Sequence, residues 1–262
     1  MKKIFPILVA SVAMVLASCA NVDEADRYKT VEAKDANRAV LVEEFTGQLC
    51  INCPEAHNLL ANITKQYDED KIIAVCIHAS ALAVAPKPNV IGLKTEIGEE
   101  YYKHWKGDGV PSAVINRTGG LKPKDAWAGV INREMQRTTP LKLNVENAYD
   151  ANTRKVTINV NALSIEDLNG KLQLWIVEDG IKAIQLLPNN GRNREYEHNH
   201  VFRAAVNGAW GTDISLKAND ANKSTFTYTI DPQWEANNLS VVAFIYDEAN
   251  GVQQVTRQKV NN

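Results

Sequence analysis

Apolar and polar positions follow two different rhythms along the chain. Residues 38–46 (RAVLVEEFT) are rich in Val and Leu and predict a strand. Over residues 53–68, Ala56, Leu59, Leu60, Ile63 and Tyr67 recur at helical spacing and predict an amphipathic helix. Residues 71–79 (KIIAVCIHA) are apolar without alternation, as in a strand covered on both faces. A loop with Pro86 and Pro88 follows, then a helix over 92–106, a short strand over 112–116 and a turn at Gly119-Gly120. Pro123 opens a further helix to about Arg137. This order predicts an α/β arrangement.

After Pro140 the period becomes two. Residues 141–145 (LKLNV) and 156–160 (VTINV) alternate apolar and polar, the pattern of strands with one solvated face. Further strands are expected over 172–177, 225–230, 240–246 and 252–260, and Asn250-Gly251 reads as a two-residue hairpin turn. Without a long helix, these strands predict an all-β, immunoglobulin-like sandwich. The expected division is 38–139 and 140–262, meeting at Thr139-Pro140.

The N-terminus adds an export signal. Lys2 and Lys3 precede an apolar stretch over 4–16, too short to span a bilayer. It ends in Leu16-Ala17-Ser18-Cys19, which resembles the lipobox of bacterial lipoproteins. That resemblance implies a signal peptide over 1–18 and a membrane anchor through lipid on Cys19; a cleaved soluble protein with an incidental Cys is the other reading. Residues 19–37 are polar and predict a flexible tether, and Asp23, Glu24 and Asp26 are similar to the acidic stretch that sends some lipoproteins to the cell surface.

Composition narrows the function. The chain has 262 residues, and 29 Lys and Arg against 31 Asp and Glu give a net charge of −2. Without a basic excess to neutralise phosphates, no nucleic-acid partner is expected. No Gly-x-Gly-x-x-Gly, P-loop or Gly-x-Ser-x-Gly occurs, and no cofactor is expected. Four cysteines are too few for a disulfide scaffold, so each needs its own role.

Cys50-Ile51-Asn52-Cys53-Pro54 lies between an expected strand and an expected helix. A helix N-terminus favours a thiolate at Cys50, and the spacing brings Cys53 within reach of a mixed disulfide there. The segment resembles the thioredoxin family. The resemblance implies a Cys50–Cys53 disulfide, with Cys50 as nucleophile and Cys53 as resolving thiol. It also implies that Glu44 is a buried acid accepting the Cys53 proton, and that Pro111, in Gly109-Val110-Pro111, is a cis-proline beside the pair. Leu49 and the Ile51-Asn52 pair depart from the usual thioredoxin residues, and the length before Pro111 implies an inserted helix at about 80–106.

Two other readings stand beside it. The pair is a plain structural disulfide, or Cys50, Cys53, Cys76 and His78 form a zinc site. Cys76 and His78 alternate on one strand face, which a thioredoxin topology turns away from the helix tip, so no metal is expected; Cys76 then reads as a small buried thiol. Later, His198 and His200 alternate beside Glu195 and Glu197; lacking a clear third ligand, they read as a structural pair or a surface loop.

Taken together, the lipobox, residues 43–54 (EEFTGQLCINCP), Gly109-Val110-Pro111 and residues 198–203 (HNHVFR) resemble the 28-kDa outer-membrane lipoprotein family. That family is described with a thioredoxin-like half and a β-sandwich half. The resemblance implies a lipid-anchored outer-membrane protein, facing the periplasm or the cell surface. Its expected activity is thiol–disulfide exchange on exported or surface proteins, as an oxidoreductase. The alternative is a surface adhesin or receptor, in which the thioredoxin fold is a scaffold and the sandwich carries recognition.

Overall fold

The computed structural model describes residues 36–261 except residue 69; the expected signal peptide and Cys19 lie outside them. In chain order, the first half comprises β1 (Ala36–Asn37), β2 (Val40–Thr46), α1 (Cys53–Thr64), β3 (Ile72–His78), α2 (Glu96–His104), β4 (Ser112–Ile115), β5 (Thr118–Pro123), α3 (Trp127–Met135) and β6 (Thr138–Thr139). The second comprises β7 (Leu141–Asp150), β8 (Lys155–Ser164), β9 (Leu168–Glu178), β10 (Ile181–Leu187), β11 (Gly191–His198), β12 (Val201–Ala205), β13 (Thr212–Leu216), β14 (Ala221–Thr229), β15 (Leu239–Asp247) and β16 (Gly251–Lys259).

The expected α/β thioredoxin-like domain followed by an immunoglobulin-like sandwich is not what forms. Half of the chain is strand and 16% is helix. The principal sheet is mixed and nine-stranded, ordered β16-β15-β9-β12-β3-β2-β4-β5, with β13 also on β9. It draws on both halves of the chain. The seam is a parallel bridge between Val201 of β12 and Cys76 of β3, supported by Cys76 N–H donating to the His200 carbonyl at 2.7 Å. The reason lies in β9 and β15. From Leu172 to Glu178 every residue of β9 is buried, and so is all of β15 except Asp247. Strands covered on both faces belong inside a large layered sheet, and the one-faced alternation of β7 and β8 does not extend to them.

One face of this sheet packs Leu41, Phe45, Ile73, Val75 and Ile77 with Trp175, Phe202 and Phe244, beneath Tyr101 and Tyr102 of α2. The opposite face meets two covers. Over β2, β3 and β4 lie α1 and α3, through Leu60, Ile63, Trp127 and Ile131. Over β9 and β15 lies the three-stranded sheet β14-β8-β7, through Val145, Ile158 and Val160.

Local signals place most elements near their expected positions. Thr95 caps α2 by accepting from Gly98 N at 3.0 Å, and acids at Glu96 and Glu99 suit its first turn. The expected turn at Gly119-Gly120 falls three residues earlier. Ile115 pairs with Thr118, leaving Asn116 and Arg117 at φ 49° and 54°, a two-residue turn of the primed kind. At Asn250-Gly251 the hairpin forms with three loop residues, since Asp247 pairs with Gly251, whose φ is 72°. Among the described residues no helix is long and apolar enough to cross a membrane.

Candidate functional site

Strand β2 delivers the chain to Gly47, where a Cβ would stand 2.6 Å from the Leu82 carbonyl oxygen, so only glycine allows this approach. The next residue, Gln48, is fully buried. Its amide accepts from Leu93 N at 3.0 Å and donates to the Ile91 carbonyl at 3.0 Å, while its own carbonyl accepts from Leu186 N at 2.8 Å. Leu49 N donates to Leu82 O at 2.9 Å, and Gln185 Nε2 donates to the Cys50 carbonyl at 2.8 Å. The loop entering the cysteine pair is thus held by the 82–93 loop on one side and β10 on the other. Gln48 belongs to the family-like run 43–54 without a role assigned to it, and Gln185 was not singled out; its signal is a glutamine between Ile184 and Leu186.

Cys50 and Cys53 form a disulfide. Cys53 begins α1, with Asn52 at the cap position and Pro54 in the first turn, where a missing N–H costs nothing. Cys50 is 3% exposed and Cys53 is wholly buried. Cys50 Sγ lies 3.6 Å from the carbonyl oxygen of Val110, and the Val110–Pro111 peptide bond is cis. Leu49, Ile51, Leu82, Val90 and Ile91 are the exposed large apolar side chains among the described residues; Ile51 is 47% and Ile91 57% exposed. All lie on the cysteine loop or on the 82–93 loop that is hydrogen-bonded to it.

Glu44 does not share in those contacts. It is buried in β2, where Cys76 Sγ donates to its Oε2 at 3.4 Å and His57 Nε2 stands 3.5 Å from its Oε1. Burial pushes the Glu44 carboxyl up to about 8, against the hydrogen bond from Cys76. Burial, with Glu44 beside it, raises the Cys76 thiol as well. His57, one turn after Cys53, also bonds Thr46 Oγ1 through Nε2 at 2.9 Å and the Tyr196 hydroxyl through Nδ1 at 3.0 Å. Burial, then the charges of His198 and His200, bring His57 down to about 4.

The four residues weighed as a zinc site are not assembled, because Cys50 and Cys53 are bonded to each other. Cys76 and His78 do share a face, and it is the face that meets α1. His198 and His200 diverge. Strand β11 ends at His198, whose ring centroid is 5.2 Å from that of His78. His200 has a φ of 58°, and its Nδ1 sits 2.9 Å from Asp179 Oδ1.

The family model of outer membrane protein Omp28 matches residues 98–262. The chain belongs to the Omp28 family. The protein is accordingly located at the outer membrane, lipid-anchored. Among solved structures, HBP35 of Porphyromonas gingivalis overlays this Omp28 chain with a TM-score of 0.69 at 16% identity, over 86% of this chain and 76% of that one. At that identity the likeness is one of fold. A domain of the outer membrane lipoprotein Omp28 from Porphyromonas gingivalis is 24% identical over 47% of this chain and 89% of its own, with a TM-score of 0.34. No curated protein matches the chain.

Proposed function

We propose that this outer-membrane lipoprotein exchanges disulfides with exported or surface polypeptides through Cys50 and Cys53. The observation that carries the reading is the setting of Cys50: a disulfide sulfur 3.6 Å from the Val110 carbonyl, next to a cis Pro111 and rimmed by exposed apolar side chains. An extended partner segment docking there gains apolar contact from Leu49 and Ile51 and backbone partners at Val110. A partner thiolate attacks Cys50 Sγ, the Cys50–Cys53 bond breaks, and its electron pair leaves on Cys53. A second partner thiolate then attacks the partner sulfur of the mixed disulfide and releases Cys50. The partner is oxidised by two electrons and the protein reduced by two. Glu44, the buried acid assigned to take the Cys53 proton, bonds Cys76 and stands 3.5 Å from His57.

The test is trapping. In the reduced protein Cys50 should alkylate before Cys53 at neutral pH, and Cys53→Ser should accumulate mixed disulfides through Cys50 with envelope proteins. Slow reduction by glutathione and no trapped partner would leave the second reading, in which the apolar rim binds a surface partner and the disulfide only fixes the loop. Anchoring through Cys19 is tested separately: Cys19→Ser should leave the membrane fraction.

A further inference from the structure

One helical turn beyond Cys53, three ligand-type atoms converge in a cavity of about 480 Å³. A carboxylate oxygen of Glu44, a ring nitrogen of His57 and the Cys76 Sγ all lie within 4.8 Å of one another. We propose that Glu44, His57 and Cys76 bind a single divalent transition-metal ion, zinc by ligand type.

The register of the sheet builds this cluster. β2 and β3 run parallel with Glu44 opposite Cys76 and Thr46 opposite His78, so all four side chains stand on the face that α1 covers. His57 reaches down from α1 onto that face. The spacings are already close to coordination. With bonds of about 2.0–2.3 Å, a tetrahedral zinc holds its ligand atoms roughly 3.3–3.8 Å apart. Here Glu44 Oε2 to Cys76 Sγ is 3.4 Å and, from the other carboxylate oxygen, Oε1 to His57 Nε2 is 3.5 Å, with one donor atom of each residue within 4.8 Å of the other two.

Unsatisfied polar atoms point the same way. Glu44 is wholly buried, and its Oε1 has no hydrogen-bond partner. His78 is buried with neither ring nitrogen bonded. Buried polar atoms nearly always find a partner, and a cation in the three-residue cluster would serve Glu44 Oε1. Charge agrees as well. One carboxylate and one thiolate neutralise a dication, so the occupied site carries no net charge into the interior. Mixed oxygen, nitrogen and sulfur donors suit zinc over magnesium or calcium, which take oxygen alone.

The surroundings complete the assignment. Tyr196 at His57 Nδ1 orients the ring so that Nε2 points at Thr46 Oγ1 and Glu44, and an ion at Nε2 would replace the Thr46 bond. Three protein ligands leave a tetrahedral ion one further position, and His78 and His198 line the same cavity. This site is separate from the disulfide and does not rest on exchange at Cys50.

The test uses the full mature lipoprotein in detergent, with Cys50–Cys53 oxidised, stripped by a chelator and titrated with Co²⁺ and then Zn²⁺. One Co²⁺ per chain should bind with a thiolate-to-cobalt charge-transfer band, and one equivalent of Zn²⁺ should abolish that band. Cys76→Ser should remove the band and weaken Zn²⁺ by roughly 100-fold or more, and Glu44→Gln should weaken it by at least about tenfold. The Cys50→Ser/Cys53→Ser double variant should bind as the parent does. If Cys76→Ser fails to fold, His57→Gln, at a partly exposed helix position, decides by the same loss of affinity. Substoichiometric binding overturns the site. So does a band that survives Cys76→Ser, one that His57→Gln leaves unchanged, or one lost with the disulfide cysteines.

Discussion

The guanidinium of Arg117 donates to both carboxylate oxygens of Glu43, at 2.9 and 3.4 Å, while its carbon lies 4.3 Å from the ring centre of Tyr246. Glu43 belongs to β2 and Tyr246 to β15, so one cation ties the N-terminal strands to the C-terminal ones. Removing one partner of a buried pair strands the other charge. Arg117→Ala should therefore cost about 3–5 kcal/mol, read as a lower denaturant midpoint. Arg117→Lys should recover only part, because a point charge neither forks onto the carboxylate nor stacks. We expect one unfolding transition for the folded region; two separated transitions would show the halves melting independently.

At the disulfide loop, the rim should govern polypeptide partners and leave small thiols alone. Covering one such side chain is worth about 1.5–3 kcal/mol, a factor of ten or more in rate or affinity. Leu49→Asp or Ile51→Asp should slow reduction of Cys50–Cys53 by a protein thiol at least about tenfold, with little change for dithiothreitol. Equal slowing by both reductants would remove the rim from the mechanism.

Gly47→Ala should deform the same loop. The added Cβ meets the Leu82 carbonyl, a backbone atom that cannot swing aside. Overpacking of this kind costs about 1–3 kcal/mol. Because Leu49 N and Leu82 O are bonded nearby, hydrogen exchange at Leu49 should rise along with the loss of stability. An unchanged melting temperature would mean that the 82–93 loop moves freely with residue 47.

Asp179 sets an acid limit. Burial alone would raise its carboxyl, but the hydrogen bonds and charge of His200, with Lys259 beyond, more than offset this and hold it well below the usual carboxylate range. A depressed folded value means that this stabilisation is present above the unfolded value of about 3.9 and is lost as pH falls below it. Asp179→Asn should cost about 1–2 kcal/mol at pH 7 and flatten the loss of stability as pH falls from about 5 towards 2. A variant with an unaltered acid limb would show that other carboxylates set it.

What was legible in the sequence was local. Elements β2, α1, β3, β7 and β8 follow from short-range periodicity, and the Cys50-x-x-Cys53 spacing from helix geometry. Two things were not. The runs 172–177 and 241–246 are as continuously apolar as 71–79, yet their spacing among alternating strands suggested a free-standing sandwich. Their burial on both faces instead makes them interior strands of the shared sheet. The cluster at Glu44 was hidden for a different reason. Its members meet through strand register and a helix crossing, and Tyr196 joins His57 from 139 positions away. No window of sequence contains that information.

The seam at Cys76 and Val201 also bears on how the protein is made. An exported chain emerges N-terminus first, so β3 is delivered long before β12. Until Val201 follows, β3 has only β2 beside it, and its other edge is an open row of backbone donors and acceptors on a strand that is apolar from Ile72 to Ile77. Such an edge templates association with other chains. The nascent strand is therefore open to association until β12 pairs with it, and chains truncated before β12 should collect as aggregates.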